Sequence, residues 1–190
     1  MGKLPNEHRA TEDGAKGQGV FPAWRSLRSW AFFLSVAAAG IVADLVSKHA
    51  VFNALADEPG KSVNIVGRIV RFTPSINTGI VFGIQANRWV VFIATLVAVV
   101  AVIVIFLTSS HIRRGLHISL AMILAGAVGN GFDRVFYRVQ LPGTSRLTGA
   151  VRDFIDIRIG GFEYPTFNVA DILIVVGIGL VFIQTLRQRR

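Results

Sequence analysis

Long apolar stretches alternate with polar segments along the 190-residue chain. Four of the stretches are about 17–21 residues long, the first of them (30–46) extending towards Phe52, and this is close to the roughly 20 residues that an α-helix needs to cross a bilayer. The polar segments supply no amphipathic helices to cover them, which disfavours buried helices of a water-soluble protein. The pattern therefore predicts four membrane spans, at about 30–52, 89–107, 116–136 and 167–186.

The connections between the spans predict where additional structure lies. A short connection, 108–115, makes the second and third spans antiparallel neighbours. Two longer connections, 53–88 and 137–166, lie at the same end of the bundle. A small sheet on the membrane surface is expected there, because glycine and proline turns bound segments of β-type composition. These segments are 62–66, 68–73 and 151–157.

The termini and the orientation follow from charge. Residues 1–28 are polar, glycine-rich and basic, and are expected to form a disordered cytoplasmic tail before a membrane domain at 29–187 and a cytoplasmic end at 188–190. Charged Asp44 stands where a signal peptide would have a small-residue cleavage site, so the first span is expected to remain uncleaved. Lys and Arg are equally numerous on the two sides, but the arginines directly beside span ends favour both termini in the cytoplasm.

Composition narrows the possible chemistry. The chain has no cysteine, which excludes disulfides, thiolate metal sites and cysteine nucleophiles. Its four histidines lack the spacing of a metal site, so no metal and no cofactor is expected. A net charge of +9 is compatible with nucleic acid or anionic lipid. The basic residues interrupt long apolar runs, which favours the membrane and predicts no nucleic-acid partner.

Ionisable and amide side chains inside the spans are concentrated at one end of the bundle. Such groups are costly within a membrane and are usually functional. Their convergence on the end that carries the long connections predicts a site there. The residues concerned are Asp44 and Lys48 in the first span, Asn130, Asp133 and Arg134 in the third, and Asn168 and Asp171 in the fourth.

Two acids in the connection before the fourth span, Asp153 and Asp156, are each placed to approach Asp171. Two carboxylates in a partly dry site separate their pKa values, so that one holds a proton and the other does not. Hydrolysis of an amide by water requires such a pair. A proton or ion pathway through the same acids is the main alternative, and it predicts acids throughout the membrane depth. The absence of a Gly-x-Gly-Asp motif excludes one further class of intramembrane protease.

Five short motifs follow one another along the chain. They are Asp44-Leu-Val-Ser-Lys48, Asn77-Thr-Gly79-Ile-Val-Phe82, Gly126-Ala-Val-Gly-Asn130-Gly-Phe-Asp133-Arg134, Val151-Arg-Asp153-Phe-Ile-Asp156 and Phe167-Asn168-Val-Ala-Asp171. Together they resemble the signature motifs of the bacterial lipoprotein signal peptidases (signal peptidase II, peptidase family A8). Ile80 and Val81 stand where that family usually has small residues.

The resemblance implies an all-α polytopic membrane fold, with four transmembrane helices and a small extracytoplasmic β-sheet from the loop after helix 1. It implies an aspartic endopeptidase of the inner membrane with its active site near the extracytoplasmic face. The implied substrate is a prolipoprotein, cleaved before a cysteine that already carries diacylglycerol. Membrane lipid and globomycin-type inhibitors are the other implied partners, and a monomer is expected.

The resemblance also assigns roles to residues. Asn130 and Asn168 are expected to hold the third and fourth helices in register and to orient the acids. Arg134 is expected to pair with Asp133 or with a neighbouring carboxylate. The implied catalytic pair is Asp153 and Asp171, and the implied substrate-binding and supporting residues are Asp44, Lys48, Asn77, Gly79, Asn130, Asp133, Arg134, Asn168 and Ala170.

Overall fold

A computed structural model of the chain describes residues 20–55, 61–79, 88–140, 143, 145 and 147–188. Within these residues, four helices are long and apolar enough to cross a membrane, which confirms the four predicted spans. Each helix lies within a few residues of the apolar stretch that predicted it, because the polar connections end the helices. The helices are α1 (Leu27–Ala54), α2 (Arg88–Thr108), α3 (Arg114–Phe136) and α4 (Val169–Gln188).

Helix α3 lies at the centre of the bundle and packs against the other three helices. Its small residues permit this position, because a Cβ added at Gly126 would lie only 2.3 Å from the carbonyl oxygen of Ala170 on α4. The outer helices instead present large apolar side chains outward, for example Val97 and Phe182, which are 61% and 64% exposed. An apolar exterior around a more buried centre is the arrangement that a lipid environment requires.

Both long connections contribute strands at one end of the bundle. The first contains β1 (Val63–Val66) and β2 (Val70–Asn77), and the second contains β3 (Arg138–Gln140), β4 (Leu147–Gly149), β5 (Val151–Ile159) and β6 (Phe162–Phe167). Strands β3 and β4 form a separate hairpin, and the others form one antiparallel sheet in the order β1-β2-β5-β6.

The expectation of an all-α fold with a small sheet from the loop after helix 1 is wrong in two respects. The sheet is a substantial part of the fold, and its strands come from both long connections. Half of the four-stranded sheet comes from the connection before α4, because β2 and β5 emerge at the same end and pair with each other. In this pairing Ser75 lies opposite Asp153, and Asn77 lies opposite Val151. This register therefore places two of the predicted motifs, the one that contains Asn77 and the one that contains Asp153, side by side.

Two apolar clusters fix the sheet and the helices relative to one another. In the larger cluster the rings of Phe33 and Phe106 stack with centroids 4.2 Å apart, and Leu120 of α3 packs with them. The smaller cluster brings Phe154 of β5 against Val51 near the end of α1. The sheet is thus packed on the bundle through its central strand, at the end where the polar residues of the spans lie.

The described part of the predicted tail differs from the expectation of disorder. Residues 1–19 lie outside the described residues. The next residues pack on the connection between α2 and α3, where the ring of Phe21 stacks on His111 at 3.8 Å. Ala23 is fully buried in a 3-10 turn, and its N–H donates to the carbonyl oxygen of Ser109 at 2.7 Å. The boundary at residue 28 was therefore placed too late, because composition does not show these long-range partners.

Candidate active site

The carboxylate of Asp153 is buried between the sheet and the bundle, with 3% of the residue exposed. Its Oδ1 accepts a hydrogen bond from Nδ2 of Asn168 at 2.6 Å, and its Oδ2 accepts one from Nδ2 of Asn77 at 3.0 Å. The Asn77 side chain is itself held, because its Oδ1 accepts from the N–H of Gly79 at 3.0 Å in the turn after β2. Two neutral amide groups therefore position this acid.

Asp171 lies in the first turn of α4 and takes part in the cap of that helix. Its Oδ2 accepts from the N–H of Asn168 at 3.1 Å, while its own N–H donates to Oδ1 of Asn168 at 3.1 Å. This reciprocal i,i+3 pair is a capping box, here made by an amide and an aspartate. The other oxygen, Oδ1, accepts from Nδ2 of Asn130 on α3 at 2.8 Å. The start of the helix thus fixes the position of the acid.

The two asparagines join the two acids through one chain of hydrogen bonds. Nδ2 of Asn168 donates to Asp153 and also to Oδ1 of Asn130 at 3.0 Å. The Nδ2 of Asn130 then donates to Asp171. The chain runs Asp153–Asn168–Asn130–Asp171 and links β5, α4 and α3. We call Asp153 and Asp171 the amide-held pair.

The environment of Asp153 favours its protonated form. Burial raises the pKa of Asp153 to about 6, and the negative charge of Asp171 acts in the same direction. The amide hydrogen bonds from Asn77 and Asn168 and the positive charge of Lys48 oppose this shift without cancelling it. A carboxyl group with a pKa in this range is able to hold a proton near neutral pH and release it during a reaction.

A second group of buried charges lies next to this pair and contains two acids and two cations. The Nζ of Lys48 lies 2.7 Å from Oδ2 of Asp44 and 3.4 Å from Oδ2 of Asp133. The guanidinium of Arg152 reaches Oδ1 of Asp133 at 2.6 Å, and the backbone N–H of Arg152 donates to Oδ2 at 3.0 Å. We call Asp44, Lys48, Asp133 and Arg152 the ion-pair cluster. It joins α1, α3 and β5.

Lys48 also orients the amide of Asn130. Its Nζ donates to Oδ1 of Asn130 at 3.0 Å. An ammonium group only donates hydrogen bonds, so the oxygen of that amide must face Lys48. The NH₂ group of Asn130 is therefore turned towards Asp171. The ion-pair cluster thereby sets the direction of the hydrogen-bond chain between the amide-held acids.

Ala170 and Gly129 contribute through their backbones and their small size. Fully buried Ala170 donates its N–H to Oδ1 of Asp44 at 2.9 Å. A Cβ added at Gly129 would lie 2.4 Å from Oδ2 of Asp44, so this position on α3 has no room for a side chain. Gly129 lies in a predicted motif but was not among the predicted site residues, and a contact with a carboxylate on another helix leaves no local signal.

Of the two pairings expected for Arg134, the one with Asp133 is absent from the described ion pairs, whereas the positive charge of Arg134 does act on the neighbouring carboxylates of Asp171 and Asp153. Neighbouring residues on a helix point about 100° apart, so the two side chains diverge. In the described contacts Arg134 donates to the carbonyl oxygen of Gly79 at 3.4 Å, while Asp133 is held by Arg152 and Lys48. Sequence reasoning missed Arg152, because it lies 19 residues from its partner and belongs to a different element.

Asp156 was the alternative partner for Asp171, and its contacts lie elsewhere. Its Oδ2 accepts from Oγ1 of Thr73 at 3.2 Å and from Nε of Arg158 at 3.0 Å, and Nε of Arg71 lies 3.6 Å away. Asp156 is therefore held by cations of the sheet, whereas Asp153 shares amide partners with Asp171. The two unusual motif positions, 80 and 81, lie outside the described residues.

Comparison with known proteins agrees with this fold. A four-helix membrane bundle with two amide-held carboxylates at one end has the features of a membrane-embedded hydrolase. The model of the family described as signal peptidase (SPase) II matches residues 36–187, and the chain belongs to this family. The match confirms the resemblance carried by the five motifs and identifies a multi-pass membrane protease.

Individual relatives match over most of their length. Lipoprotein signal peptidases from two strains of Staphylococcus aureus, bovine RF122 / ET3-1 and MRSA252, are each 28% identical over 148 residues, which are 77% of this chain and 83% of the relative. Two solved structures described as a bacterial membrane enzyme are 26% identical. Their TM-scores are 0.70 and 0.68, and the matches cover 84% and 82% of this chain and 90% and 93% of theirs.

Proposed function

We propose that the chain is an aspartic endopeptidase that removes the signal peptide from diacylglyceryl-modified prolipoproteins by cleaving just before the lipidated cysteine. The family and the names of its relatives support a lipoprotein substrate. The observation that carries the two-aspartate mechanism is the hydrogen-bond chain Asp153–Asn168–Asn130–Asp171. It holds two carboxylates of different elements together, and among the described residues no cation lies within salt-bridge distance of either of them.

In the proposed reaction, a water molecule lies between the two carboxyl groups. Ionised Asp171 accepts a proton from the water, whose oxygen attacks the scissile carbonyl carbon, and protonated Asp153 gives its proton to the carbonyl oxygen. The resulting gem-diol then collapses. Asp171 passes its new proton to the leaving amide nitrogen, and a gem-diol hydroxyl returns a proton to Asp153. The pKa of Asp153, raised to about 6, supports its role as the initial proton donor.

The surrounding residues support this chemistry by position. Asn77, Asn130 and Asn168 orient the acids with neutral donors, which leaves the protons of the acids free to move. The ion-pair cluster ties α1, α3 and β5 together around them. Gly79, Ala170 and Arg134 shape the same end through backbone and side-chain contacts. We assign all of these residues to substrate binding and support. The proposed reaction uses no cofactor.

The alternative of a proton or ion pathway is disfavoured by the middle of the bundle. Such a pathway requires polar groups through the membrane depth. Between the two ends, the described contacts are instead apolar, because Gly40 of α1 packs against Ala125 of α3 and Leu173 of α4. The buried acids of the described helices lie at the end that carries the sheet.

A cleavage assay with the purified full chain tests the proposed function. We expect release of the signal peptide from a diacylated prolipoprotein, inhibition by a globomycin-type cyclic peptide, and no release from the same precursor without lipid. Mass spectrometry of the product should place the new amino terminus at the lipidated cysteine. Cleavage at another bond, or equal cleavage of the unlipidated precursor, would contradict the proposal.

We further propose that the chain lies in the inner membrane as a monomer with both termini in the cytoplasm, and that the acids lie near the extracytoplasmic face. The absence of native cysteine makes labelling of single introduced cysteines unambiguous. In intact cells, a membrane-impermeant maleimide should label Ser145→Cys next to β4 but not Arg187→Cys near the end of α4. Both positions are exposed. The reverse labelling pattern would invert the proposed orientation.

A further inference from the structure

A cavity lies at the opposite end of the bundle from the acids. It has a volume of about 680 Å³ and opens between the start of α1 and the connection from α2 to α3. Its lining includes Arg28, Phe32, Arg114 and His117. This volume falls in the range of roughly 300–1,000 Å³ that is usual for sites that bind small molecules. The distance along α1 from Ser29 beside the cavity to Asp44 is about 22 Å, so the cavity is separate from the proposed active site.

The cavity combines positive charge with a lack of described acids. Arg28 and Arg114 line it and are exposed, and neither forms an ion pair with any residue that the structure describes. The acids in the described ranges lie at the other end of the bundle or in the sheet: Asp44, Asp133, Asp153, Asp156, Glu163 and Asp171. Two arginines at a cavity without a carboxylate favour an anionic ligand. A phosphate group is preferred, because its oxygens fit the planar donor arrangement of a guanidinium.

The first turn of α3 adds backbone donors to the same place. Its N-cap residue, Arg113, makes no side-chain hydrogen bond to the helix. The N–H of Arg114 donates to the carbonyl oxygen of Ile112 at 2.9 Å, whereas those of Gly115 and Leu116 have no backbone partner among the described residues. Such free N–H groups, together with the helix dipole, attract anions. The charge of the arginines and the start of α3 therefore act in the same direction.

A buried histidine supplies an acceptor without a partner. His117 is fully buried, and its Nε2 lies 2.9 Å from Oγ of Ser109. In the tautomer in which Ser109 donates its hydroxyl hydrogen to the carbonyl oxygen of Phe106 at 2.8 Å, Nε2 of His117 donates to Oγ. In that tautomer Nδ1 is an acceptor without a well-aligned hydrogen bond among the described residues, although the backbone of Ser110 lies close to the ring. A buried polar atom without a partner is costly and calls for a ligand that supplies one.

We propose that this cavity binds the headgroup of an anionic phospholipid, with the phosphate on Arg28 and Arg114 and a headgroup hydroxyl donating to Nδ1 of His117. The cavity lies where α1 and α3 begin, and ends of membrane helices lie at the depth of lipid headgroups. Basic pockets between membrane helices are suited to such headgroups. Phe32 at the cavity is 36% exposed and offers an apolar surface for the acyl chains.

Lipid titration of the purified full chain in a neutral detergent, followed by native mass spectrometry, tests the site. Phosphatidylglycerol should bind more tightly than zwitterionic phosphatidylcholine. The double variant Arg28→Gln, Arg114→Gln should bind phosphatidylglycerol about 25-fold more weakly, the product of a roughly fivefold contribution from each arginine. Arg187→Gln is the matched control, because it removes an exposed arginine at the same end outside the cavity, and it should change the affinity less than about twofold.

A second comparison isolates the histidine. Phosphatidylmethanol carries the same charge as phosphatidylglycerol but lacks the headgroup hydroxyl. The unmodified chain should prefer phosphatidylglycerol by about fivefold, the value of one hydrogen bond, and His117→Phe should lose this preference. Thermal unfolding and cleavage activity identify variants that fold. If the double variant does not accumulate, Arg28→Gln alone provides the test, and it should bind phosphatidylglycerol about fivefold more weakly.

Several outcomes overturn the proposal. Equal affinity of the unmodified chain for phosphatidylglycerol and phosphatidylcholine excludes recognition of the anionic charge. Unchanged phosphatidylglycerol affinity in the folded double variant excludes this cavity as the site. Inorganic phosphate is the third arm: if it stabilises the protein with the same dependence on Arg28 and Arg114 while phosphatidylglycerol does not bind, the ligand is a soluble phosphate rather than a lipid.

Discussion

Two adjacent groups of acids at the sheet end of the bundle differ in what holds them. In the ion-pair cluster, Asp44 and Asp133 face Lys48 and Arg152 at salt-bridge distance. In the amide-held pair, the described side chains that donate to Asp153 and Asp171 are all asparagines. A cation stabilises the ionised carboxylate directly, whereas a neutral amide orients it with a weaker effect on its charge. The first group is therefore suited to holding elements together, and the second is suited to moving protons.

The connection between the two groups is as informative as the difference. Lys48 belongs to the ion-pair cluster, yet it also fixes the direction of the Asn130 amide in the hydrogen-bond chain. The amide of Asn130 thus lies between the ammonium group of Lys48 and the carboxylate of Asp171, which we propose to be catalytic. Lys48 orients this amide while burial still raises the pKa of Asp153 to about 6. The following predictions separate the two groups experimentally.

The largest effect is expected from neutralising the amide-held pair. Asp153→Asn and Asp171→Asn should each lower cleavage of a diacylated prolipoprotein by roughly 10⁴-fold, because an amide keeps the volume but cannot carry the proton. The double variant should be little worse, since both residues act as one unit. Purified protein and a quantitative cleavage assay measure this.

Asp156→Asn is the matched control on the same strand. Its carboxylate faces Thr73 and Arg158 rather than Asp171, so it should retain cleavage within about tenfold of the unmodified chain. Strong cleavage by Asp153→Asn or Asp171→Asn would remove that residue from the catalytic pair. Asp44 and Asp133 would then be the next acids to test.

Neutralising the ion-pair cluster should mainly reduce stability. In Asp133→Asn, Lys48 and Arg152 each lose a carboxylate that they contact. Breaking a buried ion pair in this way lowers the free energy of unfolding by about 3–5 kcal/mol. Thermal unfolding in detergent should therefore show a clear loss for Asp133→Asn. Asp153→Asn leaves no ion-paired cation without its partner and should lose much less. Equal stability of the two variants would contradict the assignment of different roles.

A smaller loss of stability should follow from filling the space beside Asp44. Gly129→Ala places a Cβ against Oδ2 of Asp44, and forcing extra atoms into a packed site costs about 1–3 kcal/mol. Gly179→Ala on α4 is the control, because nothing lies within 4 Å of its added Cβ. That variant should be neutral or slightly more stable, since alanine favours a helix over glycine. A stable Gly129→Ala protein would show that α1 and α3 shift apart freely.

The smallest effect is a displacement of the pH profile. In the proposed mechanism Asp153 must hold a proton, so kcat/KM should fall as pH rises through about 6. The hydrogen bond from Asn77 lowers the pKa of Asp153. Asn77→Ala removes that bond and should therefore move the alkaline limb to higher pH, by about half a unit to one unit. Exposed Asn64 on β1 provides the control Asn64→Ala, whose limb should stay in place. A downward shift in Asn77→Ala would refute the assigned role.

The sequence predicts features that depend on local composition better than those that depend on long-range partners. Apolar stretches of bilayer length identify all four described helices, and 89–107 became Arg88–Thr108. The i,i+3 spacing of Asn168 and Asp171 places both side chains on one helix face, and it is also the local signal of a capping box. Both depend on residues within one turn or one span.

What the sequence did not reveal requires knowledge of the tertiary fold. Arg152 follows β-type residues and gives no sign that Asp133 on α3 is its partner. The adjacency of Arg134 to Asp133 suggested a pair that helix geometry prevents. The burial of Ala23 likewise depends on Ser109, which is distant in sequence. Long-range pairing of charges and backbones was thus the part that pattern reasoning could not supply.

Only one residue separates β6 from α4, and this limits where the chain can accept insertions and deletions. Phe167 ends the strand, Val169 begins the helix, and Asn168 alone joins them while it contacts both acids. One inserted residue here would turn the helix by about 100° relative to the strand and carry Asp171 away from Asn130. By contrast, Gly67 and Gly160 lie at turns with open space around them, where added residues loop outward. Insertions and deletions should therefore be tolerated at those turns and rejected at this joint.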